Sequence, residues 1–150
     1  MARVSSDAIL AQVELVQDGF PRVEGLAQEL AGQAVRETAE LIASSAKEKI
    51  NTGPKTGRVY RRYRGRPDHQ ASAPGEAPAA ELNALANSIQ TVEVDALETD
   101  VVVGSRYGAA LEFGRRDGSM EARPYMAPSA DEARPHFEEA MERALREAAG

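Results

Sequence analysis

Apolar positions recur at helical spacing along Arg22–Ile50. Val23, Leu26, Leu30, Ala34, Thr38, Leu41 and Ser45 form one stripe, widened by Ala27, Val35, Ile42 and Ala46. That period predicts a long amphipathic helix. Lys47 and Lys49 suit the negative pole at its end. Gly53, a left-handed cap, and Pro54, which cannot continue a helix, stop it. Upstream, Ile9, Leu10, Val13 and Val16 predict a short helix within Val4–Gln17, capped by Ser5 or Ser6, with a strand over Ile9–Val16 as the rival reading. Gly19-Phe20-Pro21 breaks that segment.

The second half changes period. Ile89–Val94 alternates and is β-branched, Asp95–Glu98 reads as a turn, and Thr99–Val103 reads as a second strand, so the pair predicts an antiparallel hairpin. Glu81–Ser88 suits a helical turn before it. Tyr107–Phe113 reads as a short helix, from the spacing of Tyr107, Ala110 and Leu111. Arg123–Ala127 reads as extended, because residues before Pro124 and Pro128 are pushed away from helix. Ser129–Ala149 closes the chain as a helix with Phe137, Met141 and Leu145 inward among Ala133, Ala140, Ala144 and Ala148, and Pro135 moves its expected start toward Arg134. The order of elements is α+β, in one domain over residues 1–150, with 54–80 an extended loop or arm. Neither a repeat nor a linker between two cores is visible.

Composition narrows the chemistry. The chain has 150 residues, 42% hydrophobic but only 5% aromatic, and Ala supplies much of the apolar count. Alanine buries little area, so a thin core that gains stability from neighbours is expected. With no cysteine, disulfides, thiol catalysis and Cys-based zinc sites are excluded, and a reducing compartment fits. No apolar run reaches the roughly 20 residues of a membrane helix, and Met1–Asp7 lacks the layout of a signal peptide, so a soluble protein made in the cytoplasm is expected, with no membrane contact. His69 and His136 have no partner at ligand spacing, and no phosphate loop, nucleophile elbow or catalytic carboxylate pair is visible. Glu112, between Leu111 and Phe113, reads as exposed or as paired with a nearby Arg.

Net charge is −6, against generic nucleic-acid binding, but the charge is uneven. Lys55, Arg58, Arg61, Arg62, Arg64 and Arg66 share one acid-free stretch with Tyr60 and Tyr63. Arg interleaved with Tyr contacts phosphates and stacks on bases; a solvated loop, or an arm on an acidic protein surface, has the same composition. Lacking apolar anchors, this segment is expected to be mobile in the free subunit and ordered by contacts. The closing helix is acidic, so a basic arm and an acidic helix could meet between neighbours in a ring.

Several segments resemble the tail-component family of siphophages, also called tail-completion or head–tail joining proteins. Pro54-Lys55-Thr56-Gly57-Arg58 is similar to the family's Pro-x-x-Thr-Gly-Arg segment, and His69–Ala79 to an insertion found in many prophage members. Leu85-Ala86-Asn87-Ser88-Ile89 matches the opening of its first strand. Val103-Gly104-Ser105, Tyr107, Ala109 and Glu112-Phe113-Gly114 resemble its central signature, and Ala122-Arg123-Pro124-Tyr125 with Pro128 its Ala-Arg-Pro-Phe-x-x-Pro segment. The departures are Gly108 between Tyr107 and Ala109, Arg115 in place of a usual Thr, and Glu81–Leu85 in place of Thr-Gly-x-Leu. The resemblance covers Arg22 to the C-terminus. It implies a structural virion protein with no catalytic residue, metal or cofactor. Such a protein is one copy in a ring of about six that completes the tail and joins it to the head. It implies contact with head–tail connector, tail terminator or tail tube proteins and passive contact with channel DNA, in the virion neck after assembly in the host cytoplasm. A tail terminator ring is the nearest alternative. A small nucleic-acid-binding module using the Arg/Tyr arm is the next.

Overall fold

In chain order the elements are β1 (Ala2–Arg3), α1 (Pro21–Thr52), β2 (Val59–Tyr60), β3 (His69–Gln70), α2 (Ala84–Asn87), β4 (Ile89–Asp95), β5 (Glu98–Val103), α3 (Gly108–Phe113) and α4 (Met126–Ala149). They come from a computed structural model that describes residues 2–3, 21–79 and 83–150, and the architecture is α+β. The helix or strand expected within Val4–Gln17 lies outside the described residues.

Helix α1 has 32 residues, about 48 Å at the usual rise. Its core face is rotated from the expected stripe. Ala31, Val35, Ala39, Ile42, Ala46 and Ile50 are buried, whereas Leu26 and Leu41 are 40% and 41% exposed. The cause is the partner. Helix α4 runs antiparallel to α1 and presents Ala133, Ala140, Met141, Ala144 and Ala148, so small residues meet small residues along the seam. Two larger leucines on that face would hold the backbones apart. Phe137 and Leu145, expected inward, are only half-buried. Ser45 and Lys49 near the end of α1 both donate to the Glu132 carboxylate near the start of α4.

The sheet lies on another side of α1. Strands β4 and β5 pair antiparallel with Ile89 opposite Val103, Thr91 opposite Val101 and Glu93 opposite Thr99, and the register slips between Glu93 and Asp95. Strand β1 adds to the far side of β5, giving the order β1-β5-β4. Alternation sends Ile89, Thr91 and Glu93 toward α1. There Ile89 joins the core, Thr91 donates to Glu40, and Arg36 pairs with Glu93 at 3.4 Å. The larger core cluster joins Ile42, Ala46 and Ile50 of α1 to Ile89, Val101, Tyr125 and Met126, and a second joins Ala31, Ala34 and Val35 to Ala140 and Met141.

Two expectations need correction. Of the segment Arg123–Ala127, expected to be extended, Met126 and Ala127 are helical, because α4 starts at Met126, three residues before Ser129. Pro128 falls in its first turn, where a missing N–H breaks no helical bond. The helix also runs through Pro135 instead of starting near it. There the ring removes one backbone bond on an exposed face, and the packed alanines on either side hold the helix together.

Candidate functional site

Two of the resemblance-bearing segments meet at one side chain. Glu112, expected on the surface, is 7% exposed. It sits in α3 and reaches the start of α4, where the backbone N–H groups of Tyr125, Met126 and Ala127 donate to its carboxylate at 2.8, 2.9 and 2.8 Å. A helix leaves its first N–H groups without partners, and Tyr125 at the cap position supplies no side-chain bond of its own. Glu112 satisfies three of them, and the next residue, Pro128, has none to satisfy. Its negative charge also meets the positive pole of α4. The sequence hides this cap because donor and acceptor lie 13 to 15 residues apart rather than three.

Neighbouring signature residues fix the same junction. The Tyr125 hydroxyl donates to the Gly108 carbonyl at 3.2 Å, and Ser129 returns a hydroxyl bond to the Tyr125 carbonyl at 2.7 Å. Burial, with the Glu112 carboxylate beside it, pushes the Tyr125 phenol up to about 12. Arg123 N–H donates to the Leu111 carbonyl at 2.7 Å. Gly114 has φ 74° and ψ −176°, and a Cβ there would stand 2.9 Å from the Met120 carbonyl, so only glycine fits the turn after α3. Pro124 and Pro128 are half-buried, while Tyr107 and Phe113 are 68% and 72% exposed. Thus Glu112, Gly114, Arg123 and Tyr125 build the junction, and Tyr107 and Phe113 face solvent.

The basic segment forms a β-hairpin arm whose base is tied to the rest of the fold. Val59 pairs with Gln70 and Tyr60 with His69. Its anchors are polar, which is why a search for apolar anchors misses them. The Glu76 carboxylate accepts from the Thr56 hydroxyl, Thr56 N–H and Ala73 N–H. These bonds, led by the Thr56 hydroxyl, hold its pKa below the ordinary glutamate value. Gly57 lies against the opposite limb, where a Cβ would stand 2.5 Å from the Ser72 carbonyl, and its N–H donates to the Ala71 carbonyl at 2.9 Å. Arg123 Nε donates to the Ser72 carbonyl at 3.4 Å and Gly75 N–H to the Ala122 carbonyl at 3.0 Å, tying the arm to the α4 junction.

The Lys55 side chain turns back to the body of the fold. Its Nζ donates to the carbonyls of Lys49 and Ala77 at 3.1 and 2.9 Å, capping the end of α1, and partial burial lowers its pKa despite Glu76 nearby. The remaining candidates stand on the arm. Arg58 lies 5.4 Å from the Tyr60 ring centroid, a cation–π distance. Arg61, Arg64 and Arg66 are exposed, Arg62 is half-buried, and Tyr63 is 92% exposed. Arg64 and Gly65 both have positive φ, 66° and 71°, and turn the tip. Segment 53–79 therefore carries six cations against Asp68 and Glu76, whereas segment 83–103 carries Glu93, Asp95, Glu98 and Asp100 with no Lys or Arg.

Between the arm base, α2 and α3 lies an open cleft of about 490 Å³ lined by Ile50, Leu85, Tyr107, Leu111 and Met120, with Arg115 and Arg123 at its edge. Among the described residues no group of three or more His, Asp or Glu is placed to hold a metal, and no helix is long and apolar enough to cross a membrane. No protein-family model, curated protein or solved structure matches the chain.

Proposed function

We propose that the chain is a structural subunit of the phage neck, one copy in a ring that completes the tail and joins it to the head around the DNA channel. The observation that carries this reading is the meeting of the signature segments at one junction. The Glu-Phe-Gly segment supplies the carboxylate, the segment from Ala122 to Pro128 supplies the three N–H groups it caps, and the Thr-Gly-Arg segment pairs through Gly57 with Ala71 of the limb whose next residue, Ser72, accepts from Arg123. Residues spread across the sequence thus have one shared purpose, which is to set the angle of α4 and the footing of the arm. That is what a subunit presenting fixed surfaces to neighbours needs, and the role calls for no bond-making chemistry. The Ala-rich seam and exposed Leu26, Leu41, Val92 and Phe113 fit a subunit completed by neighbours.

The test is deletion of the gene from the phage genome that encodes the chain. Filled heads and separate tails are the expected products, with joining restored when the protein is supplied in trans. Normal joined particles would reject the neck role. A nucleic-acid-binding module remains the second reading, favoured by the exposure of Tyr63 beside Arg61, Arg64 and Arg66. Salt-dependent binding of the isolated protein to single-stranded DNA, lost on removing those arginines, would support it.

A further inference from the structure

Helix α1 turns an acidic face with a large apolar side chain at its middle toward solvent. Leu30, Gln33, Glu37, Leu41, Ser44 and Glu48 follow one another at steps of three and four residues, so they share one stripe. All are exposed except Leu30, which is half-buried, and the stripe holds no cation. Leu41 is 41% exposed, with Glu37 one turn before it and Glu48 two turns after it. Glu37 accepts from the uncharged Gln33 amide at 2.8 Å, which leaves its charge in place, and among the described residues no ion pair reaches Glu48. The complementary surface lies at α3. A recess of about 510 Å³ is lined by Ala109, Ala110, Phe113, Gly114, Arg115 and Arg116, with no acid among them. Phe113 is 72% exposed, and both arginines are exposed. Asp117, next in the chain, accepts from the Ser119 N–H and hydroxyl at 2.9 and 2.6 Å and forms no ion pair with either arginine.

We propose that the outer stripe of α1 of one copy docks in the α3 recess of the next copy, Leu41 against Ala110 and Phe113, with Glu37 and Glu48 facing Arg115 and Arg116. Each surface sets an apolar centre among charges of one sign, and the two signs are opposite. Contact between Leu41 and Phe113 removes apolar surface from water, and the flanking charges set the register. They also exclude the symmetric pairings: stripe on stripe would set acid against acid, and recess on recess would set arginine against arginine. The contact is therefore heterologous, and repeated it generates a closed ring or an open helix. A phosphate backbone would meet the two arginines but leave Ala109 and Ala110 uncovered. This inference rests on the ring reading above and names the surfaces that close the ring.

The chain has no native cysteine, so introduced ones report the contact directly. Ser44, three residues from Leu41 on the stripe, and Ala109, in the recess, are both exposed. Purified chain carrying Ser44→Cys together with Ala109→Cys is treated at millimolar concentration with a short bis-maleimide. A ladder of linked copies is expected, whereas either single variant should stay a single chain, because a heterologous contact keeps like positions apart. Arg115→Glu with Arg116→Glu in the double-cysteine chain should lower the ladder at least about tenfold, and adding Glu37→Lys with Glu48→Lys should restore it. Absence of the ladder, dimers from a single-cysteine variant, or a yield indifferent to the charge reversals overturns the contact. A ladder unchanged by the arginine reversal while affinity for DNA falls assigns the recess to nucleic acid and also overturns it. A ring in assembled particles without the ladder refutes this contact alone, whereas a single copy in the particle refutes the ring itself.

Discussion

At the residue scale, the account turns on two carboxylates with different tasks. Glu112 closes three backbone donors at the start of α4, two of them buried. Glu112→Ala should therefore destabilise the fold by about 2–4 kcal/mol, measured by denaturant unfolding. Glu112→Gln should cost less, about 1–2 kcal/mol, since its amide oxygen still accepts while its NH₂ confronts a donor. Equal stability of wild type and the Ala variant would remove the junction from the account. Glu76 works at the surface. Its folded pKa lies below the ordinary value, so the stability it contributes is present above the ordinary glutamate range and disappears as pH falls through and below it. Amide exchange at Gly57 and Ala71 should accelerate between about pH 6 and pH 3 relative to the core, beyond the intrinsic pH effect. In Glu76→Gln that extra acceleration should be absent. Neither role was legible beforehand: Glu112 looked like an exposed helical acid, and Glu76 sat unnoticed in a Pro-Gly turn. A carboxylate that caps a helix from another element leaves no local spacing to read.

At the element scale, periodicity was a sound guide to what forms and a weaker one to which face is buried. The helix over 22–50, the two strands and the short helix before Gly114 appear within a few residues of where their patterns place them. On α1 the expected Ala27, Ala34, Val35, Thr38, Ile42 and Ala46 are buried, but the alanine-lined partner helix also takes Ala31 and Ala39 and leaves Leu26 and Leu41 exposed. The anchors of the arm are not legible in the hydrophobic pattern, because they are a carboxylate, a lysine and a close-packed glycine instead of aliphatic side chains. Pro135 marks where local preference loses to tertiary packing, since α4 continues through it. Pro135→Ala should restore one backbone bond and raise stability by about 1–3 kcal/mol, read as a higher melting temperature. A fall in stability would mean that the ring's stiffening of the unfolded chain outweighs the lost bond. On the arm, replacing Arg61, Arg62 and Arg64 together by Ala should change folding stability by less than about 0.5 kcal/mol while lowering the yield of joined particles. Normal yield would reduce the arm to a solvated hairpin.

At the scale of the whole molecule, charge and exposed apolar side chains are unevenly distributed. Cations gather on the arm and acids on the β4–β5 hairpin and α4, and the exposed apolar side chains Val59, Val92, Val94 and Phe113 stand on the elements that project from the α1–α4 seam. In the proposed ring such a subunit would gain stability from its neighbours, and monomeric dilute protein would not contradict that proposal. Net charge alone does not reveal this partition, because a sum of −6 hides the cationic arm. The central claim is that the chain acts as one copy in a ring at the head–tail junction. Native mass spectrometry of necks released from purified particles tests it most directly. A closed homo-multimer of about six copies, held to the head–tail connector or tail tube, is the predicted result. A single copy per particle, or absence of the chain from the virion, would contradict it.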